Sequence, residues 1–311
     1  MTTETSPVRL RLGTRGSPLA LAQASETRAR LAAAHSWPVE AIEVVIIRTS
    51  GDRIQDVALR EIGGKELFTK EIEAALTENR IDVAVHSAKD VATEMPAALT
   101  LAGALPREDV RDALISPVAE TVEALPEGAI VGTASLRREA LLKRIRPDLE
   151  TVLLRGNVGT RLRKLETGEM HATLLASAGL RRLDLLDRAT ALLDTETFPP
   201  APGQGTICLQ TRADDEATLN ACRAIDDAEA SLALHVERNF LAALGGSCHT
   251  PVAAHATSTT DGIAFHALVI SPDAAHAFER RWAGAEGDAP DAAAAIGHEL
   301  RAEAQGFVDL G

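Results

Sequence analysis

From Val8 to about Gln210, short apolar runs alternate with stretches whose apolar residues recur about once per helical turn, as at Phe68, Ile72, Ala75 and Leu76. This is the alternation expected of α/β folds, in which open sheets carry helices on both faces. Strand-like runs fall at Val8 to Leu12, Ile42 to Ile47, Ile81 to Val85, Leu99 to Leu105, Ala113 to Ser116, Ala129 to Val131, Thr151 to Leu154, Ala172 to Ala176 and Thr206 to Leu209. The stretch Phe198-Pro199-Pro200-Ala201-Pro202-Gly203 is rigid and extended, so it reads as a hinge or crossover and places a domain boundary near residue 200. Beyond it come a helix-rich stretch from Asp214 to Leu244, a glycine loop, two or three strands through Trp282, and a helix from Ala289 to Ala304. That is the pattern of a smaller α+β C-terminal domain. At 311 residues the chain has room for two or three such domains, each with its own core.

Composition narrows the function classes. With 45% apolar and 25% charged residues the chain is ordinarily globular, and no apolar run reaches the length of a bilayer span, so no membrane association is expected. The stretch Met1 to Pro7 lacks a basic segment followed by an apolar one, so no secretory signal is expected and the cytoplasm is the expected address. A formal charge of −13 and 3% aromatics argue against nucleic acid, which needs clustered cations and stacking platforms. Cys208, Cys222 and Cys248 make neither an even disulfide set nor a close metal-ligating pair, so a reduced compartment is expected and a zinc site is not. The cations are 27 Arg and only five Lys. A GC-rich genome accounts for that excess, but codon bias does not choose which loops receive the arginines.

Four loops follow apolar strands. In Gly13-Thr14-Arg15-Gly16-Ser17-Pro18, Ser17 suits an N-cap and Pro18 a first helical residue, so the free backbone N–H groups make an anion seat beside Arg15. The pattern returns in Gly132-Thr133-Ala134-Ser135-Leu136-Arg137-Arg138, and again in Leu154-Arg155-Gly156-Asn157-Val158-Gly159-Thr160-Arg161, whose glycines let backbone approach a ligand. Ligands of open α/β sheets bind beyond the carboxyl ends of strands, where all three loops fall, and equivalent seats in two lobes would serve one cleft. For any one loop the bland alternative is a solvated helix start with arginine on its outer face. The fourth loop, Val83-Ala84-Val85-His86-Ser87-Ala88-Lys89-Asp90-Val91, offers Asp90 as a negative group among cations, able to hold a developing cation or a ring N–H. An N-cap or a partner for Lys89 is the commoner fate of such an Asp, and His86 reads as a satisfied neighbour. Gly63-Gly64-Lys65, ahead of a helix beginning near Phe68, adds a cation without the spacing of a phosphate-binding P-loop. Cys208 and Cys222 lie in apolar stretches and read as packing residues, whereas Cys248 lies in a glycine turn, Leu244-Gly245-Gly246-Ser247-Cys248-His249, where a thiol can meet an electrophile.

Taken in order, these stretches, with Gly203-Gln204-Gly205 and Gly246-Ser247-Cys248, resemble the porphobilinogen deaminase (hydroxymethylbilane synthase) family nearly end to end. The resemblance implies two lobes like those of periplasmic binding proteins, with mixed sheets, plus the smaller C-terminal domain. It divides the chain into residues 1–103 with 200–220, residues 104–199, and residues 221–311. It implies a transferase of tetrapyrrole biosynthesis that joins four porphobilinogen molecules into hydroxymethylbilane with loss of ammonia. Priming would come from a dipyrromethane cofactor held as a thioether on Cys248, with no metal and a monomeric enzyme. Position by position, Asp90 and Lys89 would be catalytic, with Asp90 contacting pyrrole N–H groups and stabilising a cationic azafulvene-like intermediate. Asp90, Lys89, Thr133, Ser135, Arg137 and Arg138 would hold the cofactor. Arg15, Ser17, Lys65, Phe68, Arg155, Gly156, Asn157 and Arg161 would hold the substrate, whose acetate and propionate groups explain arginine on separate loops. The chain departs from the family at Ala88, Ala92 and Glu66, where a bulkier apolar residue, a proline and often a glycine are usual.

Two other readings fit parts of the pattern. A solute-binding or effector-sensing protein would use strand-end anion seats in two hinged lobes without chemistry at Cys248. An enzyme forming a Schiff base on Lys89 would use the fourth loop, although nothing else in the sequence supports an aldehyde cofactor.

Overall fold

The structure, a computed structural model, describes residues 8–53, 66–245 and 250–310. The described residues divide into two compact units, the first made of 8–53, 66–107 and 206–231 and the second of 108–205, 232–245 and 250–310.

In the first unit, strands β1 (Leu10–Thr14), β2 (Ile42–Ile46), β3 (Val83–Ser87), β4 (Leu99–Ala104) and a late arrival, β10 (Ile207–Arg212), form one mixed sheet in the order β2-β1-β3-β10-β4. β1 runs parallel to β2 and β3, and β10 runs antiparallel to β3 and β4. Alternate residues of β3 explain why this strand reads as a continuous apolar run. Val83 and Val85 pack with Leu31 of helix α1 (Pro18–His35) and Cys222 of α7 (Glu216–Arg223), while Ala84 packs with Ile72 and Leu76 of α3 (Glu66–Thr77). A short helix, α2 (Ser50–Arg53), precedes α3, whose described residues run from Glu66 through Phe68 to Thr77. Cys208 and Cys222 are buried, as packing residues should be, and burial pushes the Cys222 thiol up to about 12.

The second unit repeats the plan. Strands β5 (Asp112–Ile115), β6 (Ile130–Thr133), β7 (Glu150–Leu153), β8 (Ala172–Ala176) and β9 (Ala191–Leu192) take the order β7-β6-β8-β5-β9, with β6 parallel to β7 and β8 and with β5 antiparallel to β8 and β9. Helix α4 (Leu136–Ile145) covers one face, and α5 (Val158–Glu166) with α6 (Ser177–Arg181) covers the other. β9 has no counterpart among the strand-like runs read from the sequence, because two residues are too few for a periodic signal.

The same unit holds an antiparallel sheet of β11 (Val252–Thr259), β12 (Gly262–Ile270) and β13 (Ala277–Gly284), with α8 (Ala228–Leu244) and α9 (Ala289–Ala304) against it. Period two divides its faces. Val252, Ala254, Phe265 and Ala267 meet Phe240 of α8 and Leu300 of α9, whereas Ala253, Leu268 and Ile270 enter the core that holds Leu114, Val131 and Leu142.

The mixed α/β sheets and the smaller C-terminal layer are the fold class expected from the sequence. The proline-rich stretch leads from a turn closed by the Phe198 N–H donating to the Asp194 carbonyl at 2.8 Å to a second turn at Pro202–Gly205, where Gly203 and Gly205 take positive φ values of 73° and 89° that a side chain would resist.

Candidate substrate and cofactor sites

In the first unit, β1 ends in a loop tied at both sides. Ser17, in extended conformation, caps α1 by accepting from the Ala20 N–H at 3.2 Å, Pro18 takes the first turn, and the buried Thr14 hydroxyl donates to the Ala20 carbonyl at 3.2 Å. Arg15 stands half-buried between them. β3 ends in a single 3-10 turn, Ala88–Asp90, anchored by the Ala88 N–H donating to the Thr206 carbonyl at 3.0 Å. Ala88 and Val91 are buried, which leaves Lys89 and Asp90 half-exposed on the outer side of the turn. The small residue at Ala88 is therefore packed inward, away from the charged pair.

Two contacts hold this turn that sequence reading missed. Gln23 of α1 donates to the Ser87 hydroxyl at 2.8 Å, linking the helix that carries the Arg15 loop to the strand end that carries Asp90. His86 is buried, with Nε2 3.1 Å from Oε1 of Gln210 on β10, and Gln210 donates through its amide nitrogen to Glu73 at 3.1 Å. Since the Gln210 amide nitrogen faces a carboxylate, its oxygen accepts, and His86 carries its proton on Nε2. Burial is the main cause that lowers the His86 imidazole to about 4; Arg15 pushes the same way, against Gln210 and Asp90. His86 is thus a neutral, satisfied group at neutral pH.

In the second unit, Ser135 caps α4 by accepting from the Arg138 N–H at 3.4 Å, and the Thr133 hydroxyl accepts from the Ser135 N–H at 3.1 Å. The two arginines that follow are not on a solvated face. Arg137 and Arg138 are 5% and 6% exposed and both reach Asp112, the fully buried first residue of β5, with nitrogen–oxygen distances of 2.6 and 2.7 Å. Burial alone would raise the Asp112 carboxyl, but the two guanidinium groups outweigh it and hold that carboxyl far below the usual range. Asp112 was not singled out in the sequence. Its only signal there is an acidic residue opening an apolar strand, Asp112-Ala113-Leu114-Ile115, where a buried charge demands a partner.

The β7 loop repeats the seat. Asn157 caps α5 by accepting from the Thr160 N–H at 2.9 Å. Gly156 has a φ of 120°, and a Cβ there would lie 2.8 Å from the Thr160 methyl, so this position requires glycine. Arg161 donates to the Gly156 carbonyl at 2.9 Å, and Arg155 is buried. Lys65 and Cys248 lie outside the described residues, as does the side chain of Phe68.

The first unit thus brings together Arg15, Ser17, Lys89 and Asp90, and the second brings together Thr133, Ser135, Arg137 and Arg138 on one loop and Arg155, Gly156, Asn157 and Arg161 on another. Each loop sits at the carboxyl end of a parallel strand, and three of the four open a helix whose first N–H groups favour an anion. A cofactor bearing carboxylates fits this donor set, and in the second unit Arg137 Nε is a buried donor with no partner among the described residues.

Two family models cover the chain: "Porphobilinogen deaminase, dipyromethane cofactor binding domain" over residues 10–220 and "Porphobilinogen deaminase, C-terminal domain" over residues 231–306. Curated porphobilinogen deaminases of Nitrobacter hamburgensis and Nitrobacter winogradskyi are each 55% identical to it over 293 residues, covering 94% of this chain and 93% of theirs. Among solved structures, a periplasmic substrate-binding protein of an ABC transporter from Coxiella burnetii aligns with 72% of this chain and 94% of its own at 14% identity and a TM-score of 0.45, too distant a likeness to bear on function. The fold, the loops and these matches define an α/β transferase with a dipyrromethane-cofactor-binding domain. The chain belongs to the porphobilinogen deaminase family.

Proposed function

We propose that this chain joins four porphobilinogen molecules head to tail, releasing ammonia at each addition, and that water then cleaves the finished chain from the primer to give the linear tetrapyrrole hydroxymethylbilane. The observation that carries the reading is the repeated seat: three strand ends that open onto side-chain-capped helix starts, each bearing arginine, suited to a ligand with many carboxylates. The dipyrromethane cofactor, attached through Cys248, supplies a primer of two pyrrole rings.

The protein's own residues bind and orient. Arg15, Ser17, Lys65, Phe68, Arg155, Gly156, Asn157 and Arg161 hold substrate, the cations taking its carboxylates. Thr133, Ser135, Arg137 and Arg138 hold the cofactor together with Lys89 and Asp90. The Asp90 carboxylate accepts from pyrrole N–H groups and stabilises the positive charge that grows on the ring as ammonia leaves, while Lys89 adds a cation for the carboxylates beside it. The reading extends to a monomer at work in the cytoplasm and to a chain of three domains, residues 1–103 with 200–220, 104–199 and 221–311. No helix among the described residues is long and apolar enough to cross a membrane, which is in keeping with that address.

Intact mass of the purified protein tests the reading. An adduct on the native chain, absent from Cys248→Ala and retained by a turnover-deficient Asp90→Asn, is expected. An active chain of unmodified mass would overturn the attachment, and near-native turnover by Asp90→Asn would remove the carboxylate from the chemistry. A chain that captured porphobilinogen reversibly without releasing ammonia would be a solute-binding protein instead.

A further inference from the structure

Asp112 lies at the start of β5, away from any helix cap, and is the common acceptor of three side chains. Arg137 donates to Oδ2 at 2.6 Å, Arg138 donates to Oδ1 through Nε at 3.1 Å and through a terminal nitrogen at 2.7 Å, and Gln204 donates to Oδ1 at 3.1 Å. Backbone carbonyls take further donors: Pro199 accepts from Arg137 at 2.6 Å, and Leu174 accepts from Arg138 at 2.8 Å. Gln204 also donates to the Val110 carbonyl at 2.7 Å. The Phe198 ring lies 5.8 Å from the Arg137 guanidinium carbon.

The charges in this cluster do not balance. One carboxylate faces two guanidinium groups, all of them buried, so a net positive charge is held out of water at a cost of several kcal/mol. A tie that served packing alone would need only one arginine per carboxylate. The surplus is also local: the three main donors of Arg138, Nε and both terminal nitrogens, have acceptors, whereas Nε of Arg137 has none among the described residues. An incoming carboxylate would supply both the missing charge and the missing acceptor. By cancelling one of the two charges, Asp112 lets the pair be buried with its guanidinium planes fixed, and still leaves it short of one anion.

We propose that Asp112 is a positioning residue for carboxylate capture, holding Arg137 and Arg138 so that a carboxylate group of the cofactor completes the cluster. The proposal rests on the cofactor-holding role given above to the arginine pair. Asp112 acts through the arginines and touches neither substrate nor cofactor. Its link to Gln204, flanked by the two glycines of positive φ, fixes the Pro202–Gly205 turn to the same point.

The test follows the loading of apo-protein with porphobilinogen by intact mass, alongside thermal melting, for Asp112→Asn, Asp112→Glu and Arg137→Leu. Folded Asp112→Asn is expected to need about tenfold more porphobilinogen for half-loading, the change that accompanies loss of a charge-assisted hydrogen bond. Asp112→Glu, which keeps the charge on a longer stem, is expected to fall between Asn and native, and this order is not set by melting temperature. Native loading by Arg137→Leu would overturn the role of the arginine pair itself. Weak loading by Arg137→Leu together with native loading by folded Asp112→Asn would overturn the role of Asp112 alone. If neither Asp112 variant folds at low temperature, Asp112 is a core tie and the proposal is overturned.

Discussion

His86 shows how much is decided by a single buried proton. Its imidazole is lowered from 6.5 to about 4, so the unfolded chain binds a proton in that range and the folded chain does not. Stability contributed by the neutral ring is therefore complete above about 6.5 and is lost as pH falls toward 4, by roughly 3 kcal/mol at the limit. Melting temperatures across that interval are expected to fall more steeply for the native chain than for His86→Gln, and parallel curves would refute the assignment. At this scale the sequence displayed the groups on loops and hid those inside. Arg15, Asp90, Arg137 and Arg155 were legible because each follows an apolar run at a strand end. Asp112 and Gln210 were not, since their partners are 25 and 124 positions away and only the folded sheets bring them together.

Helix starts carry much of the local specification, and their geometry ranks them. Asn157 accepts the Thr160 N–H at 2.9 Å, whereas Ser135 accepts the Arg138 N–H at 3.4 Å, near the outer limit of a hydrogen bond. Asn157→Ala is expected to cost about 1 kcal/mol and Ser135→Ala measurably less. Denaturant midpoints at constant slope give both values, and a larger loss at Ser135 would contradict this order. The elements were mostly readable for the same reason: Ser17-Pro18 announces α1, and the helix expected from Ala289 to Ala304 is found at those bounds as α9. What sequence could not supply was pairing. β10 and β4 look alike as apolar runs, and nothing local shows that β10 inserts between β3 and β4 in the antiparallel sense.

At the scale of the whole chain, the second unit joins two sheets through one core. Ala253, Leu268 and Ile270 of the three-stranded sheet pack in the same cluster as Leu114, Val131 and Leu174 of the five-stranded one. Ile270→Ala is expected to cost about 2–5 kcal/mol. Its effect should spread: hydrogen exchange should quicken in β5, β6 and β8 as well as in β11 to β13, and a change confined to β11 to β13 would show that the two layers open independently. The acidic chain as a whole repels the anionic ligand proposed for it, so recognition has to rest on a few local cations, several of them buried where bulk salt screens them little.

The placement of β10 also has a consequence during synthesis. The first sheet begins at Leu10, yet its fourth strand in spatial order is not made until Ile207, after every strand of the second sheet has been synthesised. A nascent chain therefore completes the later sheet first, while β3 and β4 wait with open edges on either side of an empty slot. That interval, lasting several seconds at translation rates of about 5–20 residues per second, is when this protein is most exposed to mispairing and most in need of a chaperone.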